Sequence, residues 1–416
     1  MKTAMDEKEF ARKIESMGGR AYIVGGWVRD KLLHVEPKDK DYVICGISAD
    51  DFARRFPDAL KAGKSFPVYR TRIGNKVSEI AFARTERKSG TGYRGFDVRT
   101  SPDITIEDDL YRRDTTMNSI AVDILTGEFI DPFGGIKDAG NKIIRAVSDH
   151  FMEDPVRALR AARQAAQTGF TIEPLTIKLM SKCGDELIKE PAERIKGELM
   201  RALTARKPSI FFEYLRKADL LQGVFPEIAA LIGKTQPKEF HPEGDAYMHT
   251  LDILDKVSLQ TEETVARFAA LCHDLGKGTT PNDMLPHHYG HEIRGQDVFR
   301  EWDKRMKFPV SFKKMAIFTI KTHMRAPLHK KPGKIVDLLM DIYKSAISFE
   351  SYNAVILADH GTLPSYLRCY KQIMPVMLAI TGNEHPERLK GRQIGEWIRE
   401  RRIRAYMKVM HDMQMS

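Results

Sequence analysis

Cysteine is scarce in this chain: four in 416 residues, at 45, 183, 272 and 369, with no Cys-x-x-Cys spacing. That excludes a disulfide-built scaffold and a zinc ribbon and fits free thiols in a reducing compartment. No window holds 18 uninterrupted apolar residues, and the charged opening MKTAMDEKEF has no apolar stretch of signal-peptide length. No membrane partner is therefore expected, and a cytoplasmic location is. Histidine is nearly missing ahead of His241, with only His34 and His150, and then recurs. Positive charge is plentiful: 67 Lys and Arg against 57 Asp and Glu give a formal +10, which points toward a polyanionic partner. A chain of this length is expected to form two to four domains.

The stretch around which the chain is organised runs from Arg20 to Cys45. Tyr22-Ile23-Val24 reads as a strand stopped by Gly25-Gly26, and a short helix is predicted from Trp27 to about Leu33. A second strand is predicted from Lys38 through Asp39, Lys40 and Asp41 to Cys45. Strand side chains alternate with period two, so Asp39 and Asp41 are expected to face one side. Such a carboxylate pair can hold one or two Mg²⁺ over a triphosphate. A glycine pair at a strand-to-helix turn admits a phosphate to backbone N–H groups, and Gly26 and Arg29 are the candidate contacts. In this order and so close together, these parts resemble the DNA polymerase β-type nucleotidyltransferases, whose motif pairs a Gly-Gly turn with Asp-x-Asp.

Residues 6–17 read as an amphipathic helix, and strands are predicted over 68–70 and 77–83. Glu79 is either a third metal carboxylate or a solvent-facing one. The glycine-rich, basic segment 84–95 is predicted to be an irregular loop, handling phosphates or merely solvated. Residues 104–120 start acidic and are expected to place Arg112, Arg113 and Asp114 in a helix, with Asp109 free to pair with Arg113. The string RRDTTMNSIAVD resembles the second motif of the class II tRNA nucleotidyltransferases and bacterial poly(A) polymerases, with Ser119 where alanine is usual. That resemblance implies a nucleotide-binding role for Arg113.

From Asp149 the text turns helical, with Pro155 near the helix start and Gly169 at its end. Asp154 and Arg157 are three apart, with Arg160 and Arg163 following on the same side, so a capping acid and a salt bridge are one reading. The chemical reading rests on base edges. A carboxylate only accepts hydrogen bonds and a guanidinium only donates. Cytosine and adenine both show an amino donor beside a ring acceptor, whereas guanine and uracil show a carbonyl beside an N–H. The string EDPVRALRAAR fits the Glu-Asp-x-x-Arg motif of class II CCA-adding enzymes, which implies that Asp154 and Arg157 read the base. Arg160 and Arg163 are then candidate nucleotide contacts.

Past His241 the chemistry changes. His249, His273-Asp274 in LCHDLGKG, and His287, His288 and His291 follow in quick order. Imidazole with carboxylate suits a transition metal. The combination resembles an HD phosphohydrolase domain, with His249, His273 and Asp274 at the first three ligand positions. Asp359 is the candidate fourth ligand, and His291 or His323 could stand in its place.

The resemblance covers nearly the whole chain and is nearest to the multifunctional CCA-adding enzymes that carry an HD domain. It implies an α+β protein: a nucleotidyltransferase head (1–146), a helical neck and body (147–236), an HD domain (237–362) and a helical tail (363–416). It further implies addition of C, C and A to tRNA from CTP and ATP, with Mg²⁺ at Asp39 and Asp41. A metal such as Ni²⁺ or Mn²⁺ is expected at the HD site, supporting phosphatase and 2′,3′-cyclic phosphodiesterase activities, in a monomer or homodimer. A poly(A) polymerase, or a hydrolase whose head only docks RNA, is the alternative.

Overall fold

The computed structural model describes residues 5–37, 40–62, 67–88, 96–237, 239, 243–384, 386 and 389–415. The chain forms two compact units, residues 1–202 with 210–224, and residues 203–209 with 225–416.

The first unit is built on a mixed sheet. Its strands are β1 (Arg20–Val24), β2 (Asp41–Cys45), β3 (Leu60–Lys61), β4 (Val68–Ile73) and β5 (Lys76–Phe82). Strands β6 (Arg84–Lys88) and β7 (Phe96–Thr100) pair separately, and β8 (Ala121–Asp123) and β9 (Phe129–Ile130) complete the order β3-β4-β5-β2-β1-β8-β9. Pairing is antiparallel except β2 with β5, which run parallel with Asp41 opposite Glu79. One face carries an apolar layer of Ile23, Tyr42, Ile44, Ile80 and Phe82 against Phe10 and Ile14 of the helix Glu7–Glu15. Those two side chains lie one helical turn apart, as the sequence pattern predicts.

Two local expectations fail ahead of residue 149, and a third just after it. Arg84–Lys88 is a strand, zipped to Phe96–Thr100 from Arg84↔Thr100 to Lys88↔Phe96, although its composition suggests a loop. Its charges are not left to water: Arg84 and Arg112 share the Glu86 carboxylate at 2.8 and 3.0 Å. Residues 89–95, the glycine-rich part, lie outside the described residues. Arg112, Arg113 and Asp114 also fall just after the helix Ile106–Tyr111, not within it. Arg112 caps that helix, and the Asp114 carboxylate accepts the Thr115 N–H at 2.8 Å, a local bond that competes with continued helix.

The helix Val156–Thr168 starts after Pro155 and ends at Gly169, whose φ of +73° is the left-handed C-terminal stop. Ahead of it, 149–153 is a 3₁₀ turn instead of helix.

The second unit is helical. Helices Ala246–Gln260, Thr264–Cys272, His291–Met306, Val310–Thr322, Pro332–Lys344 and Phe349–His360 enclose its core, and Arg392–Met415 packs on Pro332–Lys344. The turn Leu275–Thr279 lies so close to His291–Met306 that a Cβ on Gly276 would stand 1.9 Å from the His291 carbonyl oxygen. Among the described residues no helix is long and apolar enough to cross a membrane.

Candidate functional sites

The first site forms where β1 ends and β2 begins. Gly25 has φ +74°, a conformation that glycine adopts freely, and a Cβ there would meet Arg113 Nη1 at 3.3 Å and Asp41 Oδ2 at 3.8 Å. The turn thus brings the strand-edge carboxylate and a guanidinium against bare backbone. Asp41 is exposed at the first position of β2; Asp39 lies outside the described residues. Glu79, opposite Asp41, shares its sheet face but is bonded to Arg70 at 2.9 Å with its side chain half exposed.

Gly26, Asp41, Arg113, Asp154, Arg157 and Arg160 line one cleft of roughly 830 Å³. Arg29 and Arg163 are not among its lining. Arg29 bonds Asp30 and, at 3.0 Å, the Asn118 side-chain carbonyl, while Arg163 is held by Glu198 at 2.5 Å and Gln167 at 2.7 Å. Both are spent on the frame of the cleft.

That frame centres on Asp114, a residue of the RRD motif to which sequence reasoning attached no role. Its side chain is almost wholly buried and accepts from Arg160 Nε at 2.7 Å, Gln164 Nε2 at 2.9 Å and Asn118 Nδ2 at 3.2 Å. Burial alone would push its carboxyl up; the Arg160 guanidinium and Asn118 outweigh burial and hold it well below the usual carboxylate range. Arg113 and Arg112 are similarly anchored on the buried Asp109, each through its Nη2, at 2.9 and 2.7 Å.

Asp154 and Arg157 are arranged differently from the expected salt bridge. Asp154 takes Arg194 Nη2 at 2.9 and 2.7 Å on its two oxygens, and Arg157, 6% exposed, donates Nη1 to the His150 carbonyl at 2.6 Å. Arg194 also lines the cleft. It comes from the helix Ala192–Leu203, where a run of charge offers no spacing signal that would mark it.

The second site gathers six side chains in the helical unit. His249, His273 and Asp274 form one set of converging ligand atoms, and Asp274, His291 and His323 another. The separations are His249 Nε2 to Asp359 Oδ1 3.1 Å, His273 Nε2 to Asp274 Oδ2 3.2 Å and His249 Nε2 to His273 Nε2 3.4 Å. The cross distances His249 to Asp274 and His273 to Asp359 are 3.6 and 3.7 Å. An ion about 2.1 Å from tetrahedral ligands sets them about 3.4 Å apart, so the separations among His249, His273 and Asp274 fit one coordination sphere. Asp274 Oδ1, His291 Nε2 and His323 Nε2 form a second triangle of 3.3, 3.4 and 3.4 Å. Asp359 Oδ1 lies within 3.7 Å of two members of the first set, and His291 and His323 form the second set with Asp274.

The histidines are pre-set. Each directs Nδ1 at a fixed oxygen: Glu243 Oε1 (2.6 Å) for His249, the Ala270 carbonyl (2.6 Å) for His273, the His288 carbonyl (2.8 Å) for His291 and the Thr319 carbonyl (3.0 Å) for His323. With the proton on Nδ1, all four Nε2 lone pairs face inward, the tautomer a metal takes. Both Asp274 oxygens are buried without a well-aligned hydrogen-bond donor, although Lys277 Nζ lies 2.6 Å from Oδ2. Burial opposes charge on His273, but Asp274 and Asp359 prevail and raise it to about 9, the mark of a cavity that favours cations. Lys277 and Glu243, which the sequence reading passed over, are the carboxylate-facing and histidine-facing supports of this cluster.

Fold and sites together define a polymerase β-type nucleotidyltransferase head joined to a helical, HD-type metal domain. Residues 21–145 match the family model described as "Poly A polymerase head domain", 169–232 "Probable RNA and SrmB- binding site of polymerase A", and 245–349 "HD domain". The Multifunctional CCA protein of Nitrosococcus oceani is 40% identical over 408 residues, covering 94% of this chain and 98% of that protein. That of Mannheimia succiniciproducens is 42% identical over 357 residues, covering 82% and 83%. The solved structure of the Bacillus stearothermophilus CCA-adding enzyme in complex with CTP shares the fold, at TM-score 0.66, 21% identity and coverage of 97% and 96%. The chain belongs to the multifunctional CCA protein family, and is a tRNA nucleotidyltransferase carrying an HD domain.

Proposed function

We propose that the chain adds C, C and A to the 3′ end of tRNA from CTP and ATP without a nucleic-acid template, and that its HD centre hydrolyses phosphoesters. The observation that carries the first part is the convergence of Asp41, the Gly25-Gly26 turn, Arg113, Asp154 and Arg157 on one cleft. Asp39 and Asp41 would hold Mg²⁺, which when bound supplies charge for the attacking hydroxyl and the leaving pyrophosphate. Gly26, Arg113 and Arg160 face the phosphates. Arg29 and Arg163 contribute by fixing Asn118 and Glu198.

Base choice follows from hydrogen-bond inventory. Asp154 Oδ1 accepts from both Arg194 and the Val156 N–H, whereas Oδ2 accepts from Arg194 and keeps a lone pair for an exocyclic amino group. Arg157 uses one of its five N–H donors on His150 and has others for a ring nitrogen. Uracil and guanine, with a carbonyl and an N–H at those places, oppose acceptor to acceptor and donor to donor. Supplying a tRNA lacking its 3′ CCA with each labelled nucleotide separately tests this: incorporation of C and A only is expected, and equal use of UTP or GTP would overturn it. Growth by A alone, without C, would restore the poly(A) polymerase reading.

At the HD centre the first four ligands, His249, His273, Asp274 and Asp359, would hold one ion. Asp274 Oδ1 with His291 and His323 would hold a second and leave it open to water or substrate. Mn²⁺ and Ni²⁺ suit this imidazole-carboxylate set, and hydrolysis of 2′,3′-cyclic phosphates is the proposed reaction. With tRNA, CTP and ATP as its substrates, the cytoplasm is the proposed place of work.

A further inference from the structure

A second open groove, of roughly 520 Å³, lies among the helices Val310–Thr322, Pro332–Lys344 and Arg392–Met415. Its lining carries Lys321, Arg325, Lys334, Lys344, Arg399 and Arg402 against two carboxylates, Asp337 and Asp341. Some of that charge is structural. Arg399 forks onto Asp337 at 2.7 and 2.9 Å, and Arg402 donates to the carbonyls of Met377 and Ile380, each at 3.0 Å. Arg399 reaches its place across Gly333, where a Cβ would stand 2.7 Å from Nη2. Lys321, Lys334 and Lys344 are exposed and make no ion pair among the described residues. His329 in the groove wall is held below its usual value by burial and by Lys334 and Arg325, which reports the same positive field.

Two further features narrow the ligand. Among the described residues no Phe, Tyr or Trp lines the groove; beside His329 its charged lining is mainly Lys and Arg, which suits backbone phosphates. Three residues of its lining, Lys321, Thr322 and Arg325, are also close neighbours in sequence of the buried His323, whose Nε2 is 3.4 Å from Asp274 Oδ1. We propose that this groove holds the backbone of an RNA strand whose 3′ end is the HD centre's substrate, so that the centre prefers polynucleotide ends to mononucleotides. This rests on the phosphohydrolase reading of that centre. In the reaction a water oxygen bonds to phosphorus and the bond from phosphorus to one ribose oxygen of the cyclic ester breaks. The freed oxygen takes a proton from that water, and a phosphomonoester remains.

The test uses the full chain with Lys321→Ala, Lys334→Ala and Lys344→Ala combined. In metal-stripped protein, the affinity for a labelled single-stranded oligoribonucleotide is measured from about 50 to 200 mM salt. Each lost phosphate contact removes about 0.7 from the slope of log affinity against log salt, so a drop of about 2 is expected. With metal restored, turnover of an oligoribonucleotide bearing a 2′,3′-cyclic end should fall about tenfold in kcat/KM, with 2′,3′-cyclic mononucleotide turnover unchanged. The matching triple Lys→Arg variant should recover both readouts, which separates lost charge from lost fold. An unchanged slope, or a wild type that does not prefer the oligomer, overturns the groove. If the wild type cleaves neither substrate, the phosphohydrolase reading fails instead. Loss of binding to anionic vesicles with the RNA slope intact would reassign the surface to lipid and overturn the proposal.

Discussion

At the scale of single residues, the head site depends on carboxylates held in place by named donors. Asp154 and Arg157 are the direct test of base reading. A site that hydrogen-bonds a substrate group discriminates by roughly 10⁴-fold or more against an analogue lacking it. Asp154→Ala or Arg157→Ala should lower the CTP and ATP rates and narrow their advantage over UTP and GTP, with weak catalysis persisting. Full CTP-over-UTP selectivity in either variant would reduce the segment to an ordinary helix start. Asp114→Asn tests the frame. It keeps the shape but removes the charge facing Arg160, and should cost about 1–3 kcal/mol. Because the folded-state carboxyl is depressed, its contribution is fully present above the unfolded-state value and is lost as pH falls. The difference in Tm between wild type and Asp114→Asn should therefore be largest near neutrality and shrink below about pH 4. A difference that grows on acidification would contradict the assignment.

At the scale of elements, the tightest fit is the turn Leu275–Thr279 against the helix His291–Met306, which brings Asp274 and His291 to one place. Gly276→Ala drives a methyl into the His291 carbonyl, and overpacking of this kind costs about 1–3 kcal/mol or more. We expect weaker Mn²⁺ binding by calorimetry and loss of cyclic phosphodiesterase activity while nucleotide addition continues. Unaltered Mn²⁺ affinity would show that the turn can retreat without moving its ligands. The arm of β6 and β7 carries a different lesson. Basic and glycine-rich text reads as loop, yet Arg84 and Glu86 gain partners in Arg112 and Asp109 that only the folded head supplies.

At the scale of the whole molecule, the cleft and the histidine–carboxylate cluster lie in separate compact units. Asp41→Ala should abolish nucleotide addition and leave cyclic phosphate hydrolysis measurable, and His273→Ala with Asp274→Ala should do the reverse. Loss of both activities in a folded single-site variant would mean that the units depend on one another.

What the sequence by itself determined was the chemistry: Gly-Gly followed by Asp-x-Asp, the RRD string, Glu-Asp-x-x-Arg and His-Asp. These are local, because each depends on the spacing of neighbours along one strand, turn or helix. The α+β class and the helix ends at Pro155 and Gly169 were legible for the same reason. Tertiary structure decided the partners. Arg194, forty residues from Asp154, grips it only because two helices pack together. Arg29 and Arg163 bond Asn118 and Glu198 and do not line the cleft. His291 and His323 converge on Asp274, while Asp359 approaches His249. An ion pair or a coordination sphere is a matter of a few ångströms between side chains far apart in the chain, and no periodicity in the sequence encodes that distance.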